Sequence, residues 1–302
     1  MAKVLVLGAG GNFGGNAARA FAAAGWDVAR YSRGTDMAVA AQGASVIVNA
    51  LNPPMYHDWA RLIPQITGSA IAAAKSSGAR LVLPGNVYVY GNQTGPWGPD
   101  TPQIPCARKG AIRVASERQY KDSSLPVLIL RGGDFIDETS DSTMLNMFVL
   151  KGIAKGKMTL PGTPGVRRAY AYLPDMARAA VNLVALGQDL PHFADIPFAG
   201  LTFSVSDLRA EVERQMGQTV KTGNFPWWAM RLASPVWELA RELTEMRYLF
   251  ETPHSLDGAP LARLLPDFKC VDFAQVVRVH LARHGVGAVG ASARAALLTG
   301  QN

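Results

Sequence analysis

The run Val4-Leu5-Val6-Leu7, followed at once by Gly8-Ala9-Gly10-Gly11-Asn12-Phe13-Gly14-Gly15, constrains this chain more than any other stretch. The apolar β-formers read as a buried strand and the glycines as a tight turn. The small residues from about Asn16 to Ala24, stopped by Gly25, read as a helix. Strand, glycine turn and helix in that order open a dinucleotide-binding βαβ unit. Gly8 permits the turn, Gly11 lets the backbone approach a pyrophosphate, and Gly14 lets the helix pack close to the strand. The helix then directs its unpaired N–H groups and positive dipole end at the phosphates. Asn12 and Phe13 join these glycines as candidate cofactor contacts.

Composition narrows the class. The chain has 302 residues, 48% hydrophobic and 18% charged, so one main domain with a smaller companion is expected. It holds no uncharged apolar run long enough for a transmembrane helix, and no membrane partner is expected. The N-terminus runs straight into the first strand, which leaves no room for a signal peptide. Cys106 and Cys270 lack metal or redox spacing, and a cytoplasmic location is expected. The net charge of +7 suits an anionic cofactor or substrate; the basic residues are scattered, with no basic run interleaved with aromatics, which argues against nucleic acid.

Along the chain, Trp26 to Arg33 reads as a second strand ending Tyr31-Ser32-Arg33. A carboxylate at such a tip holds the ribose 2′-hydroxyl, whereas an arginine there accommodates a 2′-phosphate. Ser32 and Arg33 therefore favour NADP(H), with NAD(H) left open through Asp36. The next strand, Val46-Ile47-Val48, delivers Ala50, Leu51 and Asn52 to the cofactor before Pro53-Pro54 stops regular structure. A helix is predicted over Trp59 to Ser77, then a strand Arg80 to Leu83 that delivers Pro84, Asn86 and Tyr88. A helix from Arg108 to Lys121 and a strand from Val127 to Leu130 follow. Ser204 to Asp207 has the form of a capping box. Val236 to Phe250 keeps helical spacing, and the nearby Trp227, Trp228 and Trp237 fit core packing or a subunit contact better than a membrane or lid. His57 is placed near a ligand or in solvent; His280 and His284 read as helix-end surface residues with no carboxylate to complete a metal site.

The glycine turn, Val89-Tyr90-Gly91 and Tyr172-Leu173-Pro174-Asp175-Met176-Ala177 occur in an order that resembles nucleotide-sugar epimerases and dehydratases of the extended short-chain dehydrogenase/reductase group. That family works through a serine, a tyrosine and a lysine. Here the serine position falls on Asn86, the tyrosine position on Lys109 and the lysine position on Arg113. Lys109, Arg113 and Glu117 also resemble the Lys-x-x-x-Arg-x-x-x-Glu pattern of the atypical, isoflavone-reductase-like and NmrA-like branch, whose proposed acid/base is a lysine. The resemblance implies Lys109 as acid/base and cofactor contact, Asn86 as holder of the substrate oxygen, and Tyr88 as a further proton donor.

The fold expected is α/β, a Rossmann-type doubly wound, mainly parallel sheet with a smaller C-terminal α/β substrate domain. Residues 1–136 and 169–187 are assigned to the first, 137–168 and 188–285 to the second, and 286–302 to a tail. The expected function is an NADP(H)-dependent oxidoreductase or epimerase-like enzyme acting on a small organic or nucleotide-linked molecule, with a homodimer compatible. The rival is a cofactor-binding redox sensor of the NmrA-like type that performs no turnover.

Overall fold

A computed structural model describes residues 1–286; all but the first residue of the expected tail lies outside them. The first half alternates β1 (Lys3–Leu7), α1 (Asn12–Ala23), β2 (Asp27–Arg30), α2 (Met37–Ala40), β3 (Val46–Asn49), α3 (Trp59–Ser77), β4 (Arg80–Gly85), α4 (Arg108–Asp122) and β5 (Val127–Arg131). Then come β6 (Asp134–Ile136), β7 (Lys157–Leu160), β8 (Arg168–Tyr172), α5 (Leu173–Ala185), β9 (Phe193–Pro197), β10 (Leu201–Phe203), α6 (Val205–Met216) and β11 (Lys221–Asn224). The helices α7 (Trp227–Ala233), α8 (Glu238–Glu245), α9 (Ala259–Leu264) and α10 (Phe273–Arg283) complete it.

The main sheet has six parallel strands in the order β2-β1-β3-β4-β5-β9. Both faces are covered, and the strand period of two sorts the side chains between them. Val4 and Val6 face the layer that holds Phe13, Ala17 and Phe21 of α1 and Met176, Ala180 and Leu183 of α5. Leu5 and Leu7 face the layer that holds Ala70, Ala73 and Ala74 of α3 and Tyr120 of α4. Each large side chain buried this way contributes about 1.5–3 kcal/mol. Alanines on α1, α3 and α5 let the helices lie close to the strands. Winding reverses between β1 and β3, and such a switch point leaves a crevice at the strands' carboxyl ends.

A second unit holds the sheet β10-β8-β6, with α6 and α10 packed over it. Tyr170 and Phe203 stack at its centre, ring centroids 3.8 Å apart. The capping box at Ser204 is present: its hydroxyl accepts the Asp207 N–H, and the Asp207 carboxylate accepts the Ser204 N–H. Beside it β7 and β11 pair in parallel.

The two units interleave more than the sequence division allows. β9 lies in the stretch assigned to the smaller domain, yet it pairs with β5 at the edge of the main sheet. β6, and β8 after its first residue, fall within the span assigned to the first unit and belong to the smaller sheet, while α5, directly after β8, packs with α1. A five-residue strand carries no mark of which partner it will pair with, so pattern alone could not divide them. The expected helix over 236–250 divides: α8 starts only at Glu238, after Pro235 and the exposed Val236, and beyond Met246 the residues Arg247–Phe250 form a separate 3-10 turn. Trp227 packs against Phe225 and Phe250, as core packing predicts, whereas Trp228 is 71% exposed. His280 is fully buried, its Nδ1 2.8 Å from the Val276 carbonyl, because its helix face is the one that covers the small sheet.

Candidate active site

The strand ends open into a cleft of about 850 Å³, within the size range of ligand pockets. Its floor at the β1 end is the glycine turn. Gly8 has φ +81°, and a Cβ there would lie 2.8 Å from the Ala50 carbonyl oxygen. A Cβ on Gly14 would stand 2.1 Å from the Gly8 carbonyl oxygen, so any side chain forces α1 off the strand. Gly11 caps α1 with no side-chain hydrogen bond, and the helix's first turn carries no acidic residue. Its first N–H groups are thus left for an outside acceptor, and Gly10 has open space where a Cβ would be. Backbone at this point fits an anionic diphosphate. Gly8, Gly11, Asn12 and Phe13 all line the cleft. Gly14 does not; its role is the close packing beneath. The Asn12 side chain is held by Ser140 and Ser142, whose hydroxyls donate to its Oδ1 at 2.7 and 2.9 Å.

At the β2 tip, Arg30, Tyr31 and Arg33 line the cleft and no carboxylate does. Asp36 accepts the Ala38 and Val39 N–H groups as the N-cap of α2, so its carboxylate is already engaged. Ser32 falls outside the lining; its carbonyl accepts from Thr35 and closes the turn. Ala50, Leu51, Asn52 and Pro84 line the middle of the cleft as expected.

The three residues expected to do chemistry divide. Asn86 and Tyr88 meet at the β4 end: Asn86 Oδ1 accepts the Tyr88 N–H at 3.0 Å and so caps the short turn Val87–Tyr90. Both line the cleft. The Tyr88 hydroxyl lies 3.4 Å from that of Tyr56, and burial pushes the Tyr88 phenol well above its usual range. Lys109 is not brought to this place. Its ammonium is fully buried, donates to the Glu242 carbonyl at 3.1 Å and to the Glu245 carboxylate at 2.9 Å, and pairs with the Glu242 carboxylate. It passes 5.1 Å from the Tyr56 ring and lies outside the cleft lining. The helix turn carries Arg113 to the cleft instead. Arg113 donates to Asn52 Oδ1 at 2.8 Å and lies 4.6 Å over the Trp59 ring.

Two further features were not readable beforehand. Arg131, fully buried, donates to both oxygens of Glu117, to Asp195 and to the Asn86 carbonyl at 2.7 Å. Glu117 therefore serves Arg131 rather than its helical neighbour Arg113. In the loop after Pro53-Pro54, the non-glycine residues Met55, Tyr56 and Asp58 have positive φ. Strain of this kind persists where the surroundings impose it, and it clusters at functional sites. The Asn52-Pro53-Pro54 turn was its only signal. Roofing the cleft, α8 presents Leu239 and Leu243 inward, while Glu238 meets His57 and Glu242 meets Arg108 and Lys109. Among the described residues no cluster of His, Cys, Asp and Glu could hold a metal ion.

A doubly wound parallel sheet with a glycine turn at its switch point and a second unit beside its strand ends defines a Rossmann-type fold. More particularly, the chain has the fold of nucleotide-sugar epimerases and dehydratases. MoeE5, solved with UDP-glucuronic acid and NAD, superposes with TM-score 0.75 at 15% identity, over 93% of this chain and 98% of that one. UDP-glucuronic acid 4-epimerase from Bacillus cereus, solved with NAD, gives 0.74 at 15% identity over the same shares. The NAD-dependent NDP-hexosamine 5,6-dehydratase TunA gives 0.71 at 16%, over 94% of this chain and 97% of that one. No family model and no curated protein matches the sequence.

Proposed function

We propose that this chain is an NAD(P)-dependent oxidoreductase or epimerase-like enzyme that binds its dinucleotide over the Gly8–Gly14 turn and acts on a small organic or nucleotide-linked substrate. The observation that carries the reading is the uncapped, carboxylate-free start of α1 on the floor of the cleft. A bound nicotinamide supplies the means to give or take a hydride. Arg30 and Arg33, with no competing carboxylate, favour the 2′-phosphate of NADP(H); the fold relatives named above hold NAD.

This chain's own residues then have distinct work. Arg113, fixed by Asn52 and Trp59, offers N–H donors to ribose hydroxyls and a positive charge that eases ionisation of a nearby phenol. Tyr88 lines the cleft with the Tyr56 hydroxyl 3.4 Å from its own, so it is placed to donate to a substrate oxygen; its burial raises the phenol pKa and opposes proton loss, and the Arg113 charge works against that rise. Asn86, its Oδ1 occupied by the Tyr88 N–H, has its amide N–H groups to donate to that same oxygen. Lys109 positions α8 over the site and reaches no substrate.

Titration calorimetry with NADPH and NADH tests the proposal. Wild-type protein should bind at least one of them, and Gly11→Val should abolish binding by blocking backbone approach to the pyrophosphate. Unchanged affinity in the variant, or no binding by the wild type, would reject it. Tight binding with no turnover on any carbonyl or sugar nucleotide would point to the redox-sensor alternative.

A further inference from the structure

We propose that the end of the cleft over β4 and β5 takes an uncharged substrate with an aromatic or branched aliphatic body, and not a sugar carried on a diphosphate. The inference rests on the dinucleotide reading for the opposite end and selects between the two substrate classes named there.

Charge is the first ground. A diphosphate linker stays ionised at neutral pH, and burying it without partners is costly. Arg30 and Arg33 line the cleft at the β2 tip, over the far end. At the β4 and β5 end, Arg113 is the single cation among the described lining residues, and no lysine lines the cleft. Arg113 is already bonded to Asn52 and lies over Trp59. Two carboxylates line this same end. Glu117 is paired with Arg131 and Asp134 with Arg168, both at 2.8 Å, so neither leaves a surplus of positive charge for a second anion.

The walls are the second ground. Trp59 and Tyr88 stand on one side, Met147 and Phe148 come from the segment after β6, and Leu239 and Leu243 come down from α8. Trp59 is buried behind this wall, 6.5 Å between its centroid and that of Tyr88 and 29° between their planes, so Tyr88 is backed by a second aromatic ring. The other polar side chains at this end are already paired, Thr67 with Ser116, Tyr120 with Asn49, and Arg113, Glu117 and Asp134 as described, which leaves the Asn86 amide N–H groups and the Tyr88 hydroxyl to hold a substrate oxygen. A mostly apolar wall with a few placed polar groups is how sites for apolar small molecules are built.

The test uses the full chain. NADPH and NADH binding is measured first, by nucleotide fluorescence, so that loss of the cofactor reading shows by itself. Cofactor-loaded protein is then titrated by calorimetry and thermal shift with cinnamaldehyde and citral on one side, and UDP-glucose and UDP-glucuronic acid on the other. The aldehydes should bind saturably and the sugar nucleotides at least tenfold more weakly. Sugar nucleotides binding as tightly, or neither class binding to loaded protein, would overturn the proposal. Leu239→Arg, which adds the missing cation, should weaken the aldehydes about tenfold and strengthen UDP-glucose while NADPH affinity holds. Met147→Arg makes the same change from another wall should the first variant not fold. Aldehyde affinity unchanged in the folded variants would also overturn it.

Discussion

Tyr88 and Lys109 both approach Tyr56, one at its hydroxyl and one over its ring, and substitution separates what each does. Tyr88→Phe removes a proton donor from the cleft wall, so turnover should fall by about 10²–10⁴-fold with little change in NADPH affinity. Lys109→Met removes the one fully buried cation paired with the buried Glu242 and leaves it the half-exposed Arg108 and Arg241. Breaking a buried pair costs about 3 kcal/mol or more, which urea denaturation would read directly. Should Lys109→Met keep full stability and lose turnover, the proton-transfer role would return to the lysine. Arg33 acts at the cofactor end. Arg33→Ala should weaken NADPH about tenfold or more and leave NADH nearly untouched, from the ~1.5–3 kcal/mol of a charge-assisted bond. Equal losses for both nucleotides would reject selection at this residue. The glycines were legible in the sequence because their constraint is local: Gly8 and Gly14 clash with atoms a few residues or one strand away. Lys109 was not legible in the same way. Its partners lie 133 and 136 residues further on, and no spacing rule reaches that far.

At the scale of elements, α8 is held from its outer side. His57 Nδ1 lies 2.8 Å from Glu238, and the Asp58 N–H donates weakly to the same carboxylate. Hydrogen bonding to Glu238 raises the His57 pKa, with Asp58 adding to it and Arg61 opposing it; the same bond lowers Glu238. The sign follows. The contact is complete below the ordinary histidine pKa of about 6.5 and is lost as pH rises through the raised value in the folded chain. At the acid end it is lost as pH falls through the lowered Glu238 pKa. Amide exchange in α8 should therefore quicken, after correction for intrinsic rates, as pH climbs through the His57 transition followed by NMR, and His57→Gln should remove that step. A flat profile would mean that Lys109 and Arg108 hold the helix alone. The apolar period from Val236 to Phe250 was visible in the sequence, but it does not say that Leu239 and Leu243 face a cleft rather than a core. Both surfaces select the same residues.

For the whole molecule, the alternation of strands and helices from β1 to β5 was legible because β1, β3, β4 and β5 are short apolar runs with helical stretches between them. Beyond β5 the chain crosses between the main and smaller sheets three times, out at β6, back with α5 and β9, and out again at β10, and those crossings are set by long-range pairing that composition does not encode. Arg131 shows what such pairing does to a site. One guanidinium gathers a helix carboxylate from α4, an edge-strand carboxylate from β9 and the carbonyl of Asn86. The site therefore cannot be treated as a detachable insert. Its inheritance is tied to the outer rim of the sheet: drift at Asp195 is transmitted to Asn86 through a single cation. Anyone transplanting this cleft onto another scaffold would have to carry the rim strand with it, although none of that strand's residues lines the cleft.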